Sequence, residues 1–150
     1  VIVGDGPARA EVKKQLPHAV FTGGLGGEDL PRAVASMDVF CSTGELETFC
    51  QAVQEAKACG LPVISPRKGG PIDLIDPSRT GWLYEPGDMT DFRSRVVDLV
   101  GDDYKRHAMG IAARASIENR TWENLCAELV EHYKEAIRLA GRSTRIRAVL

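Results

Sequence analysis

The feature that most narrows the folds open to this chain is the alternation of strand-length apolar runs with helix-length segments. The runs are Val1-Ile2-Val3, Ala19-Val20-Phe21-Thr22, Asp38-Val39-Phe40-Cys41, Pro62-Val63-Ile64-Ser65 and Gly81-Trp82-Leu83-Tyr84. Glycine-rich turns follow them: Gly4-Asp5-Gly6-Pro7, Gly23-Gly24-Leu25-Gly26-Gly27 and Lys68-Gly69-Gly70-Pro71. Helices are expected over 8–16, 28–37, 49–59 and 72–75. Short strands alternating with helices form βαβ units, and parallel strands need crossovers of this kind. The expectation is an α/β fold, a doubly wound parallel sheet with helices on both faces and right-handed crossovers.

From Asp88 onward the pattern is wholly helical. Phe92, Val96 and Leu99 form one stripe. A further helix is expected over 102–119, with Asp102 and Asp103 at its start as capping residues. Thr121 is expected to cap a last helix whose apolar face carries Trp122, Leu125, Cys126, Leu129, Val130, Tyr133 and Ile137. After Glu135 there is no acidic residue, while Arg138, Arg142, Arg145 and Arg147 follow. Residues 139–150 read as a basic tail, either a solvated end or a contact for an anionic membrane surface.

The 150 residues are one domain's worth of chain. A net charge of -2 offers no basic footprint, so no nucleic-acid partner is expected. No apolar run is long enough to span a bilayer, and neither a transmembrane helix nor a signal peptide is expected. Cys41, Cys50, Cys59 and Cys126 form no C-x-x-C pair and have no histidine at ligand spacing. They are expected as reduced, mostly buried thiols, with no metal and a cytoplasmic location. The chain opens inside a strand pattern without an initiator Met, which is expected of a piece of something longer.

Two segments bear on chemistry. Gly4-Asp5-Gly6-Pro7 opens like a dinucleotide fingerprint, but Arg9 stands where its third glycine belongs and no acidic residue ends the second strand. A strand-to-helix turn accounts for it better. The second segment is Glu47 to Glu55. With Thr48 as cap, the amides of Phe49, Cys50 and Gln51 would point out of a helix start and suit a phosphate. Phe49, Ala52, Val53, Ala56 and Cys59 would form the packed face. Glu55, off that face, leans back toward the helix start and can hold a vicinal diol such as ribose. Glu47 lies beside the same spot and can accept from sugar hydroxyls. A capped surface helix with solvated acids fits these residues equally well.

Glu47 and Glu55, with seven residues between them, resemble the Glu-x(7)-Glu pattern of retaining, nucleotide-sugar-dependent glycosyltransferases of the family-4 type, which have the GT-B fold. Other segments agree in order: Val1 to Pro7, then Phe21-Thr22-Gly23 with Leu30, Ala35, Asp38 and Phe40, then Ala56, Gly60 and Pro62-Val63-Ile64. Gly69-Gly70-Pro71-Ile72 and Asp73-Leu74-Ile75 resemble the glycine loop; Thr80-Gly81, Leu83 and Pro86-Gly87-Asp88 resemble the closing signature. The match covers 1–138. It implies the carboxyl-terminal, donor-binding lobe with a helical cap, lacking its first strand. Glu47 to Gln51 look closest to actinobacterial GDP-mannose-dependent mannosyltransferases acting on glycolipids. Phe21 to Phe40 also resemble sulfoquinovosyl-lipid synthases, which use a UDP-sugar.

The resemblance implies a hexosyltransferase that moves mannose from GDP-mannose to a lipid or glycan acceptor with retention. The alternatives are a UDP-sugar-dependent sulfolipid-type enzyme and a non-catalytic nucleotide-sugar binding module or truncated relic. It gives Glu47 the catalytic, donor-sugar place, Glu55 the ribose, and the amides of Phe49, Cys50 and Gln51 the diphosphate. Gly24 and Leu25 fall in the loop that edges the base. Cys50 stands where many members have glycine, and reads as a contact residue or packed thiol. No cofactor is implied beyond the donor substrate. The phosphate-clamping Arg and Lys and the acceptor-binding lobe would precede Val1, so the partner lobe is expected in cis and the location is cytoplasmic, at the inner membrane face.

Overall fold

The computed structural model describes residues 1–147, with side chains for residues 1–141. In chain order the elements are β1 (Ile2–Val3), α1 (Arg9–Gln15), β2 (Phe21–Gly23), α2 (Asp29–Ala35), β3 (Phe40–Cys41), α3 (Gln51–Ala58), β4 (Val63–Pro66) and α4 (Pro71–Leu74). They continue with β5 (Gly81–Tyr84), α5 (Met89–Val100), α6 (Asp103–Ile117) and α7 (Trp122–Arg147). All three strand pairs are parallel. The expected single sheet is hydrogen-bonded as two parts, β1-β2 and β3-β4-β5, with no ladder between β1 and β3 among the described residues. β2 and β3 start later than their apolar runs, because pairing begins only at Phe21 opposite Ile2 and at Phe40 opposite Val63.

β4 is the centre of the molecule. All four of its residues are buried, as a strand covered on both faces requires. Successive side chains point to opposite faces. Val63 packs with Val34, Val53, Ala56, Leu61, Ile75 and Leu83. Its neighbour Ile64 packs with Tyr84, Leu99 and Met109 on the other side. The first face is covered by α2, α3 and α4, the second by α5 and α6. The Ser65 hydroxyl is buried with no hydrogen-bond partner among the described residues. At the turn after α3, Gly60 meets α6 so closely that a Cβ on Gly110 would lie 2.2 Å from the Gly60 carbonyl.

The half that carries β1 is different. α1 has no buried residue, Leu16 and Val20 are half exposed or more, and α2 reaches the core only through Val34, with Leu30 and Met37 packed against it.

One carboxylate ties three elements of the second face together. The Trp82 indole of β5 donates to Asp98 of α5 at 2.9 Å, and the Lys105 ammonium of α6 donates to the same carboxylate at 2.5 Å. The hydrogen bond from Lys105, aided by that from Trp82, holds the Asp98 carboxyl below its ordinary pKa. The Arg95 guanidinium lies 4.8 Å from the Trp82 ring centre, a cation–π distance.

The caps expected at α6 and α7 are present: Asp102 accepts from the Lys105 amide at 2.9 Å and Thr121 Oγ1 from the Asn124 amide at 3.2 Å. The thiols are not mostly buried. Cys50 is buried, Cys59 intermediate, and Cys41 and Cys126 exposed, because β3 is an edge and α7 leaves the core. The α7 apolar stripe is likewise open, with Leu129, Val130, Tyr133 and Ile137 roughly half exposed or more. α7 runs unbroken past residue 139. Of the basic tail, the side chains of Arg142, Arg145 and Arg147 lie outside the described residues, while Arg138 is paired with Glu135.

Candidate functional site

β2, β3 and β4 end at Gly23, Cys41 and Pro66, and the loops that follow them carry the residues singled out from sequence. These loops leave the carboxyl edge, where open α/β sheets bind ligands.

The centre is the turn into α3. It does not start at Phe49 with Thr48 as its cap. α3 begins at Gln51, and the residue before it, Cys50, adopts the left-handed conformation, φ 55° and ψ 51°. A side chain with a Cβ rarely occupies this region. The cause is a long-range contact. The loop after β4 presses its backbone against residues 47–48: the Gly70 amide donates to the Glu47 carbonyl at 2.8 Å. A Cβ on Gly69 would sit 2.4 Å from the Glu47 carbonyl oxygen, and one on Gly70 2.1 Å from that of Thr48. Only glycines allow this approach, so the chain cannot turn into the helix at Thr48 and turns two residues later.

A left-handed residue followed by a helical one brings successive amides toward one point, the arrangement that cradles anions. The amides of Cys50, Gln51 and Ala52 are so disposed. Gln54 is the first amide of α3 to find its carbonyl, that of Cys50, at 3.1 Å. The Cys50 thiol is 3% exposed, and burial, then the Glu47 carboxylate, push its pKa up. It is a packed thiol, not a nucleophile.

Glu47 is exposed, its carboxylate folded against Gly44, where a Cβ would lie 3.0 Å from Oε1. Glu55, one turn into α3, is half-buried and accepts from the Gln51 side-chain amide at 3.1 Å. Glu47, Cys50, Gln51 and Glu55 thus cluster about one helix start. Gly24 and Leu25 lie in the loop after β2, and no hydrogen bond or ion pair joins them to that cluster among the described residues. Phe49 and Ala52 are not on the packed face: Phe49 is 41% exposed and Ala52 is exposed. With the helix starting at Gln51, the buried positions are Val53, Gln54, Ala56 and Lys57.

Sequence reasoning missed several neighbours. Arg67 and Lys68 follow β4 at the same edge, in ion pairs with Glu85 at 3.0 Å and Glu45 at 3.1 Å. Their place beside Gly69-Gly70 was the available signal. Lys57, 2% exposed, donates to the Leu74 carbonyl and fixes the end of α4. Burial, then Arg120, lower its pKa. Gln54 donates to the Phe49 carbonyl at 2.7 Å. The Phe49 ring stacks on Trp122, centroids 5.6 Å apart and planes at 22°. These contacts join residues far apart in sequence and leave no local pattern. Among the described residues no group of three or more His, Cys, Asp or Glu side chains could hold a metal, and no helix is long and apolar enough to cross a membrane.

Residues 1–116 match the family described as Glycosyl transferases group 1. The chain is 52% identical over 145 residues to a GDP-mannose-dependent alpha-mannosyltransferase of Mycobacterium tuberculosis, covering 96% of this chain and 37% of the relative. It is 38% identical over 141 residues to the sulfoquinovosyl transferase SQD2 of Arabidopsis thaliana, covering 90% and 28%. Among solved structures, Anabaena Alr3699/HepE in complex with UDP superposes with a TM-score of 0.77 at 22% identity, covering 89% of this chain and 40% of that one. The chain spans about a third of the length of the GDP-mannose-dependent alpha-mannosyltransferases that it matches at 45% to 52% identity.

Proposed function

The chain belongs to the glycosyl transferases group 1 family, and from that membership we propose that it is the donor-binding lobe of a retaining hexosyltransferase that uses GDP-mannose. The single observation that carries the reading is the left-handed turn at Cys50, which in this reading turns the amides of Cys50, Gln51 and Ala52 toward one anion. Amides fixed in this way stabilise the charge that develops on a departing diphosphate, at no reorganisation cost during reaction. Glu55 holds the ribose diol, and its bond from Gln51 keeps the carboxylate oriented. Glu47 takes the hydroxyls of the donor sugar and orients the anomeric carbon. Gly24 and Leu25 edge the base. In the transfer, the bond from the anomeric carbon to the diphosphate breaks, the acceptor hydroxyl forms the new glycosidic bond, and its proton leaves with the diphosphate.

GDP-mannose is favoured because several GDP-mannose-dependent relatives are 45% to 52% identical, against 38% for the sulfoquinovosyl transferase. A UDP-sugar donor is the second reading. UDP in the HepE structure supports a nucleotide sugar in general. The acceptor is a glycolipid or glycan, taken at the cytoplasmic membrane face by a lobe that this chain does not include. Among the described residues β1 and β3 each pair on one side only, and in this reading the first strand of the lobe lies between them, where strand order reverses in a doubly wound sheet.

NMR titration of the chain with GDP and with UDP tests the site. Amides of Cys50 and Gln51 are expected to move, more readily with GDP. Each absent charge-assisted phosphate contact lowers affinity by about 1.5–3 kcal/mol, so binding will be weak. Calorimetry then separates the two acids: Glu55→Ala should weaken GDP, whereas Glu47→Ala should leave it nearly unchanged. Equal losses would refute the division of roles, and unmoved amides with both nucleotides would refute the site.

A further inference from the structure

The left-handed turn at Cys50 is held, besides by the glycine loop, by residues that follow α6. The Arg120 guanidinium donates through Nε to Gln54 Oε1 at 2.9 Å. The same Gln54 amide donates through Nε2 to the Phe49 carbonyl at 2.7 Å. Two residues past Arg120, the Trp122 ring stacks on the Phe49 ring at 5.6 Å. Phe49 is therefore held twice by one short segment: directly at its ring by Trp122, and at its carbonyl through Gln54, which Arg120 orients.

That segment is itself firmly built. Ile117 anchors it in the core at 8% exposure, the Arg120 amide donates to the Ile117 carbonyl at 2.9 Å, and Asn124 bridges back to the Asn119 carbonyl at 2.7 Å. Phe49, Gln51, Gln54, Glu55, Arg120 and Trp122 line one cavity of about 160 Å³. The junction between α6 and α7 thus backs onto the side chains proposed to meet the nucleotide, although neither Arg120 nor Trp122 lies in the Glu47–Glu55 segment.

We propose that Arg120 and Trp122 are positioning residues for the anion-binding turn: they brace Phe49, and through it set the direction of the Cys50 and Gln51 amides. Its consequence for binding rests on the reading of this turn as a diphosphate site; the bracing itself does not. A non-glycine residue at φ 55° needs its surroundings to hold it there. The glycine loop supplies one wall and the junction the other.

The experiment uses the 150-residue chain, with Arg120→Ala, Trp122→Ala, Trp122→Phe and, as a control on the open stripe, Tyr133→Ala. Two readouts are taken without ligand: the chemical shifts of the Cys50 and Gln51 amides, and hydrogen exchange of the Gln54 amide, which donates to the Cys50 carbonyl. Arg120→Ala and Trp122→Ala should each shift those amides and speed Gln54 exchange roughly two- to tenfold, the equivalent of one aromatic or hydrogen-bonded contact. Trp122→Phe, which keeps a stacking ring, and Tyr133→Ala should match the parent chain. Exchange at Ile64 in the buried strand should stay constant. Unmoved Cys50 and Gln51 amides in both alanine variants would overturn the brace. So would equal acceleration at Ile64, which marks general loosening.

GDP affinity is read last. A loss of similar size in both alanine variants, restored in Trp122→Phe, extends the brace to binding; unchanged affinity overturns that extension. If the parent chain binds neither GDP nor UDP, the nucleotide reading fails, and the ligand-free readouts still decide the brace.

Discussion

Cys50 shows what one residue can be made to do. Its left-handed conformation costs about 1–2 kcal/mol for an ordinary L-residue, and its buried thiol returns a similar amount by packing. Cys50→Gly should therefore change stability by less than about 1 kcal/mol, since the strain and the packing disappear together. Cys50→Val should destabilise by about 2 kcal/mol or more, because a β-branched side chain is a severe outlier at positive φ. Chemical denaturation of the two variants checks the pair, and a Val variant as stable as the Gly variant would show that the turn relaxes freely. The conformation was not legible beforehand. Thr48 satisfies every local rule for a helix cap, and what displaces the helix start is a glycine backbone more than twenty positions downstream.

At the scale of elements, Asp98 is the most exposed to test. It joins β5, α5 and α6 through Trp82 and Lys105. Its pKa is lowered in the folded chain, so its contribution is fully present above the unfolded aspartate value, about 3.9, and is lost as pH falls through the folded one. The stability gap between the parent chain and Asp98→Asn should be constant near neutrality and close below about pH 4. The gap should be about 1 kcal/mol or less, because the carboxylate is 34% exposed and solvent screens it. Thermal melts of both chains from neutral to strongly acidic pH measure it; a gap that persists at the acid end would exclude ionisation as its source. β4, β5, α5, α6 and the cap at Thr121 were legible because each is fixed by its own pattern: a run buried on both faces, a helical stripe, a capping side chain. The spacing of Glu47 and Glu55 singled them out, and the structure places one just before α3 and the other one turn into it. The grip on Phe49 was not, since Gln54 and Arg120 stand 66 residues apart and neither breaks any local pattern.

For the whole molecule, the expectation is that this chain by itself transfers no mannose. A glycosyl transfer needs donor and acceptor fixed together with water excluded, and the chain spans about a third of the length of the mannosyltransferases that it resembles. Labelled GDP-mannose incubated with a lipid extract should give product only after an amino-terminal lobe is added; turnover by the chain alone would show that the residues around Cys50 suffice. The division of the sheet has another consequence, concerning cohesion. The part built on β3, β4 and β5 holds nearly all the buried side chains, whereas the segment through β1, α1 and β2 enters the core only through α2. A chain so divided does not open as one cooperative unit. Its first twenty-odd residues are set to open locally, at low free energy, while the rest stays closed. A protease acting on the native chain would then cut first before α2, and a nucleotide that engages the loop after β2 would slow that cut by drawing the loosely held half toward the tight one.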